Sequence, residues 1–249
     1  MEKTGIYGVT KTNSCDPSPS HPLTECAILQ FLIGGGDLPL GSTPTESNAL
    51  YPSTVSSQWV ELRWSVMGDR ISSDHNYRLY SALIEQIPNL KELDWQLGTI
   101  TGVPDNKGWI KLGRKSTLSI RCMVNLIPVF GILDNQILRI GQSLIQLGEM
   151  QGSTLSCVPN LSTRIATIRI QNDFRVDPFE FGVAIGKQLA NKGIKCIPIL
   201  GDRCTLKIKD CVVVGYGLRF EKLEPLESMI LQTQGLGGRR RMGCGVFYA

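Results

Sequence analysis

The sequence predicts an α+β fold: two tandem ferredoxin-like (RRM-like) βαββαβ domains behind an irregular N-terminal extension. Three observations predict it. The order strand, helix, two strands, helix, strand is legible in the hydrophobic periodicity from Trp59 to Leu147. The same order returns, more clearly, from Arg164 to Tyr248. Residues 1–57, in contrast, hold six of the thirteen prolines, many Ser and Thr, and one apolar run, Ala27 to Ile33, that ends at Gly34-Gly35-Gly36. Such a composition predicts loops or disorder. The expected divisions are an extension over 1–57, a first domain over 58–150, a linker over 151–162 and a second domain over 163–249.

In the first domain, Val60, Leu62, Trp64 and Val66 alternate with Glu61, Arg63 and Ser65, which describes a half-buried strand. Asp74 offers an N-cap, and Tyr77, Tyr80, Ile84 and Ile87 recur at helical spacing until Pro88. Strands are expected over Leu97–Thr101, Trp109–Leu112 and Ser116–Met123, a helix over Leu126–Leu133 and a strand through Leu138–Leu147. In the second domain, Arg164–Ile170 reads as a strand. Asp177-Pro178 supplies an N-cap and N1, Glu180 completes a capping box, and Phe181, Ile185 and Leu189 form one face up to the stop at Gly193. Strands at Lys195–Ile199, Thr205–Lys209 and Val212–Leu218, a helix at Leu226–Thr233 and a strand at Gly243–Tyr248 complete the pattern.

Composition narrows the function. No apolar stretch approaches the ~20 residues that span a bilayer, and no basic segment followed by an apolar run opens the chain, so a cytoplasmic protein is expected. The eight cysteines contain no C-x-x-C pair and only two histidines accompany them, which argues against a metal site. Cys196, Cys211 and Cys244 sit in apolar runs and are expected to be reduced core residues. Residues 1–58 carry a net charge of −3 against +4 for the chain, so the remainder carries +7. That excess is clustered in Lys107, Lys111, Arg114, Lys115 and Arg121, and again in Arg239, Arg240 and Arg241. Both clusters suit a phosphate backbone.

The sharpest motif is GLGGRRRMGCG over residues 235–245. Gly235, Gly237, Gly238, Gly243 and Gly245 allow left-handed backbone and close approach to a ligand. Successive N–H groups could form an anion site, with arginines adding forked donors. A dinucleotide-binding loop would follow a strand and open a helix; here the order is reversed.

Gly-apolar-Gly, five residues, Gly-apolar-Gly resembles the hallmark of the repeat-associated CRISPR proteins (the RAMP superfamily). The longer string from Leu223 to Phe247 resembles the Cas6 endoribonucleases, in particular the subgroup of cyanobacterial and myxobacterial type I systems. Met67 to Leu83, MGDRISSDHNYRLYSAL, is similar to that subgroup's Asp-His-x-Tyr segment, and STLSIR (116–121) is a looser match. The resemblance covers residues 59–249, not the leader.

It implies two ferredoxin-like domains and metal-independent cleavage of CRISPR repeat RNA, with no cofactor. The ribose 2′-hydroxyl attacks the adjacent phosphorus and leaves a 2′,3′-cyclic phosphate and a 5′-hydroxyl. It also implies the repeat hairpin and type I effector subunits as partners. Of the two histidines, His21 lies in the Pro/Ser-rich leader, whereas His75 lies in the family-like segment at a helix start; the resemblance points to His75 as general base or acid. Helix dipole and bound phosphate act oppositely on its imidazolium, so a near-neutral pKa is expected. Arg70 and Tyr77 are the local candidates for a second group. The alternatives are a non-catalytic subunit of a surveillance or guided-transposition complex that holds the RNA hairpin, and an RRM-like base-stacking protein. The last would need aromatics where Ile165, Ile168 and Val213 stand, with Tyr216 the exception.

Overall fold

The computed structural model describes residues 58–105, 107–168 and 176–249. The leader with His21, and the end of the strand expected over Arg164–Ile170, lie outside the described residues.

The first half is a five-stranded antiparallel sheet. β1 (Trp59–Met67) lies at its centre, between β6 (Thr117–Met123) and β8 (Ser143–Thr154), with β3 (Trp95–Leu97) and β7 (Ile137–Ile140) at the edges. Strand order β3-β6-β1-β8 is the ferredoxin-like arrangement, and β7 is an addition to it. α1 (Asn76–Gln86) and the short α2 (Ile127–Gly131) accompany this sheet. Leu62, Trp64, Leu79, Leu83, Trp95 and Phe130 are buried in its core, each such side chain contributing roughly 1.5–3 kcal/mol by leaving water. α1 therefore buries a stripe through Leu79 and Leu83, while Tyr77 and Tyr80, expected on the apolar face, are half-exposed.

Two departures from expectation have local causes. The strand expected through Leu138–Leu147 is a hairpin, because Gly141 turns the chain at φ 64° between β7 and β8. Residues 68–116 also carry a small separate sheet. In it β5 (Trp109–Lys111) lies between β2 (Arg70–Ser72) and β4 (Val103–Pro104).

The second half has the order β10-β11-β9, from β9 (Leu161–Ala166), β10 (Ile199–Ile208) and β11 (Cys211–Phe220), with α3 (Pro178–Asn191) and α4 (Pro225–Gln234). Asp177 caps α3 by accepting the Phe179 N–H at 2.7 Å. The reciprocal capping box forms instead on α4, between Glu224 and Glu227. Glu227 also accepts the N–H groups of Lys195 and Cys196, so the strand expected at Lys195–Ile199 has its donors drawn off and runs irregularly. The last segment meets β9 through the Ser162–Tyr248 bridge and the bond from Gly245 N–H to Ile165 O, with Gly238 bridging Thr167 farther along. Gly243 and Gly245, at φ 75° and 64°, are not extended and interrupt the expected strand.

β8 runs to Thr154 and β9 begins at Leu161, so the connection is shorter than the linker expected over 151–162. Cys122 and Cys244 are buried; Cys196 is half-exposed but packs against the second core, whereas Cys211 is exposed, outside the core expected for it. No helix among the described residues is long and apolar enough to cross a membrane.

Candidate active site

β2 and the first turn of α1 hold His75. Its Nδ1–H donates to Ser72 O at 2.7 Å, and Nε2 accepts the Ile100 N–H at 3.1 Å, which fixes the neutral Nδ1–H tautomer. The ring is fully buried. Burial lowers its pKa to about 4; the nearby Arg164 cation acts in the same direction, against the Ser72 bond and Asp74. The near-neutral pKa expected for an exposed ring is corrected, because desolvation outweighs the other influences. Asp74 does not cap the helix. Its Oδ2 accepts the Lys207 N–H of β10 at 3.0 Å, and its Oδ1 is buried without a partner among the described residues. His75 itself occupies the N-cap position with no side-chain cap bond.

The glycine loop packs against this corner. Asn76, 1% exposed, donates Nδ2–H to Thr99 Oγ1 (3.3 Å) and to Met242 O (3.1 Å). A Cβ on Gly243 would overlap Asn76 Nδ2, one on Gly237 the Thr167 carbonyl, and one on Gly245 the Leu236 carbonyl. The glycines are thus needed for close backbone packing. Their donors are also used: Leu236 N–H goes to Gly245 O, Gly237 N–H to Gln188 Oε1, Gly238 N–H to Thr167 O and Gly245 N–H to Ile165 O. The anion cradle expected of these amides is corrected, since protein oxygens already occupy them.

The cations divide into two groups. Arg121 does not face solvent. It is 3% exposed, pairs with Glu61 at 2.8 Å, donates to Phe247 O at 2.5 Å and lies 4.3 Å from the centre of the Tyr248 ring. Its expected contact with RNA is corrected: it joins the two halves. Arg240 donates to Gln234 O and Asp94, and Arg241 to the Lys91 and Leu90 carbonyls. Arg239, at φ 61°, is exposed and has no ion pair among the described residues. Lys107, Lys111, Arg114 and Lys115 are all exposed on and beside the small sheet, where the last three line a groove of about 550 Å³. Arg70 lies over the Trp109 ring at 4.6 Å, and Tyr77 is half-buried on α1.

Between the two sheets lies a cleft of about 430 Å³ lined by Arg63, Thr99, Ser119, Arg164, Gly243 and Tyr248, among others. Arg63 and Arg164 were not singled out from sequence, although strand alternation aims both away from their cores. Asn76 carried no charge or motif to mark it. Tyr216, the aromatic exception for base stacking, is buried against Phe181 and donates to Val176 O.

Paired ferredoxin-like sheets closed by a C-terminal glycine loop define a protein of the RAMP class. A Cas6-related protein from Pyrococcus furiosus shares the fold at a TM-score of 0.53 and 16% identity, covering 76% of this chain and 98% of that one. A solved RAMP protein described as binding different RNA substrates does so at 0.51 and 14%, over 76% and 98%. At such identities the likeness shows the fold alone. The family model described as Cas6 Crispr matches residues 60–249. The CRISPR-associated endonuclease Cas6 of Myxococcus xanthus (strain DK1622) is 32% identical over 190 residues, 76% of this chain and 80% of that protein. This chain belongs to the Cas6 family.

Proposed function

We propose that the protein is an endoribonuclease that cleaves CRISPR repeat RNA within its precursor transcript. One observation carries this: the family match spans residues 60–249, and within it the glycine loop is bonded to the residue next to His75. The reaction is intramolecular. The 2′-hydroxyl oxygen forms a bond to phosphorus and gives up its proton, the bond from phosphorus to the 5′-oxygen breaks, and that oxygen takes a proton. The products are a 2′,3′-cyclic phosphate and a 5′-hydroxyl.

His75 is our candidate for proton transfer. Its Nε2 lone pair becomes available when the ring leaves the Ile100 N–H, the longer of its two bonds. Phosphate nearby would then raise its pKa toward the ordinary value. Arg164 would stabilise charge on the phosphorane. What favours it over Arg70 and Tyr77 is its position in the cleft with Gly243 and its electrostatic effect on His75. Arg70 instead rests on Trp109. Arg239, Lys107, Lys111, Arg114 and Lys115 would hold the RNA backbone, with type I effector subunits as later partners of the bound product.

A second reading is favoured by the same ring: a His75 with both nitrogens bonded also suits a subunit that grips the hairpin without cutting. Wild-type and His75→Ala protein incubated with labelled repeat RNA in excess EDTA decide between them. Discrete cleavage by wild type only, with binding by both, is expected. Binding without cleavage by either would establish the second reading.

A further inference from the structure

We propose that the pocket beside the arginine loop is a subsite for one unpaired nucleotide of the RNA, with its base stacked on Tyr80 and its phosphate held by Arg239. This rests on the RNA-cleaving function above and adds to it a recognition residue outside the cleft. The pocket, about 320 Å³, is lined by Tyr80, Asp94, Trp95, Gly238, Arg239 and Arg241, among others. That volume lies at the lower end of the roughly 300–1,000 Å³ typical of small-ligand sites.

Tyr80 is half-exposed, and its ring lies nearly parallel to Trp95, at 18° with centroids 6.3 Å apart. Trp95 is fully buried and anchored by Nε1–H to Leu90 O at 2.8 Å. The tyrosine is therefore a backed platform that loses little freedom when a ring settles on it. Arg240 and Arg241 have donors committed to carbonyls of the surrounding backbone, which leaves Arg239 as the loop's exposed cation. An aromatic face beside a cation is how proteins hold single-stranded nucleic acid, because every base has a π-face and every nucleotide a phosphate. A paired base cannot enter, since its faces are covered by its neighbours in the stack.

The pocket's position relates it to the chemistry. Tyr80 follows Asn76 by one turn of α1, about 6 Å along the axis, and Asn76 is bonded to Met242 at the pocket's edge. The captured nucleotide therefore lies next to the scissile segment. Asp94, 60% exposed at its side chain, is paired with Arg240 through Oδ1 at 3.4 Å, and its Oδ2 would face the base edge, so bases that carry an amino group are preferred to uracil.

The test uses the full-length protein and repeat RNA transcribed from the CRISPR array of the same genome, with 2-aminopurine placed at each unpaired position in turn. One position is expected to lose fluorescence on binding wild type, stay quenched with Tyr80→Phe and recover with Tyr80→Leu. Affinity for unlabelled RNA should fall about 5- to 150-fold in Tyr80→Leu, and uracil at that position should bind more weakly to wild type but not to Asp94→Asn. Circular dichroism establishes that each variant is folded. If wild type binds and cuts the repeat, yet no position distinguishes Tyr80→Leu from Tyr80→Phe, the subsite is overturned while the nuclease stands. If wild type does not bind repeat RNA at all, both fall.

Discussion

Asn76 and Gly243 are interlocked: the Asn76 amide occupies the space a Cβ on Gly243 would need, and donates to the carbonyl just before it. Gly243→Ala should therefore lose roughly 1–3 kcal/mol from its left-handed backbone alone, and more from the displaced amide. In an Asn76→Ala background the displaced-amide part should vanish. A double-mutant cycle by denaturant unfolding checks this, and a coupling energy near zero would show that the two residues do not share the space.

Arg121→Met should cost about 3–5 kcal/mol, the usual penalty for leaving one member of a buried ion pair. Arg63, which also reaches Glu61, will reduce that loss. The salt dependence of RNA binding should be unchanged. A salt slope lowered by about one would mean that Arg121 does reach a phosphate.

The loop arginines should separate in the opposite sense. Arg239→Ala is expected to lower the salt slope by about one with little effect on folding stability. Arg240→Ala and Arg241→Ala should lower stability by about 0.5–1.5 kcal/mol for each hydrogen bond lost. Equal slopes for all three variants would contradict this division.

Stability should fall in mild acid because of His75. Its pKa is about 4 in the folded protein and 6.5 when unfolded, so between these values the unfolded chain binds more protons and unfolding becomes easier as pH drops. Stability is full above pH 6.5 and is lost as pH falls below it, the loss amounting to ~3 kcal/mol by pH 4. Unfolding of wild type and His75→Gln from pH 4 to 7.5 should show the steeper decline only in wild type. Parallel profiles would place the ring in water.

The tandem βαββαβ order was legible in the sequence because alternation and capping act over a few residues. Asp177-Pro178 before Phe181, Ile185 and Leu189 is such a case. Contacts between distant segments left no comparable trace. Nothing near Glu227 announces that its carboxylate takes the amides of Lys195 and Cys196 and so prevents a strand there. Arg121 sat in a basic run, and only the fold reveals Glu61 and Phe247 around it. The glycine spacing marked the loop correctly as special, but a pattern of glycines cannot tell whether a ligand or the chain's own carbonyls will approach. The segment around His75 was legible as a helix start, while the ring's burial and its bond from the Ile100 N–H come from the fold.

The Arg121 guanidinium, held between Glu61 of β1 and the Phe247 carbonyl, also couples the stability of the two halves. Losing the second half would strand a charged pair on an opened sheet and leave the Gln96 amide without the Thr233 carbonyl it meets at 2.5 Å. Melting of one ferredoxin-like unit should therefore destabilise the other. Despite its duplicated architecture, the protein should show one calorimetric transition, with cooperativity spanning residues 58–249.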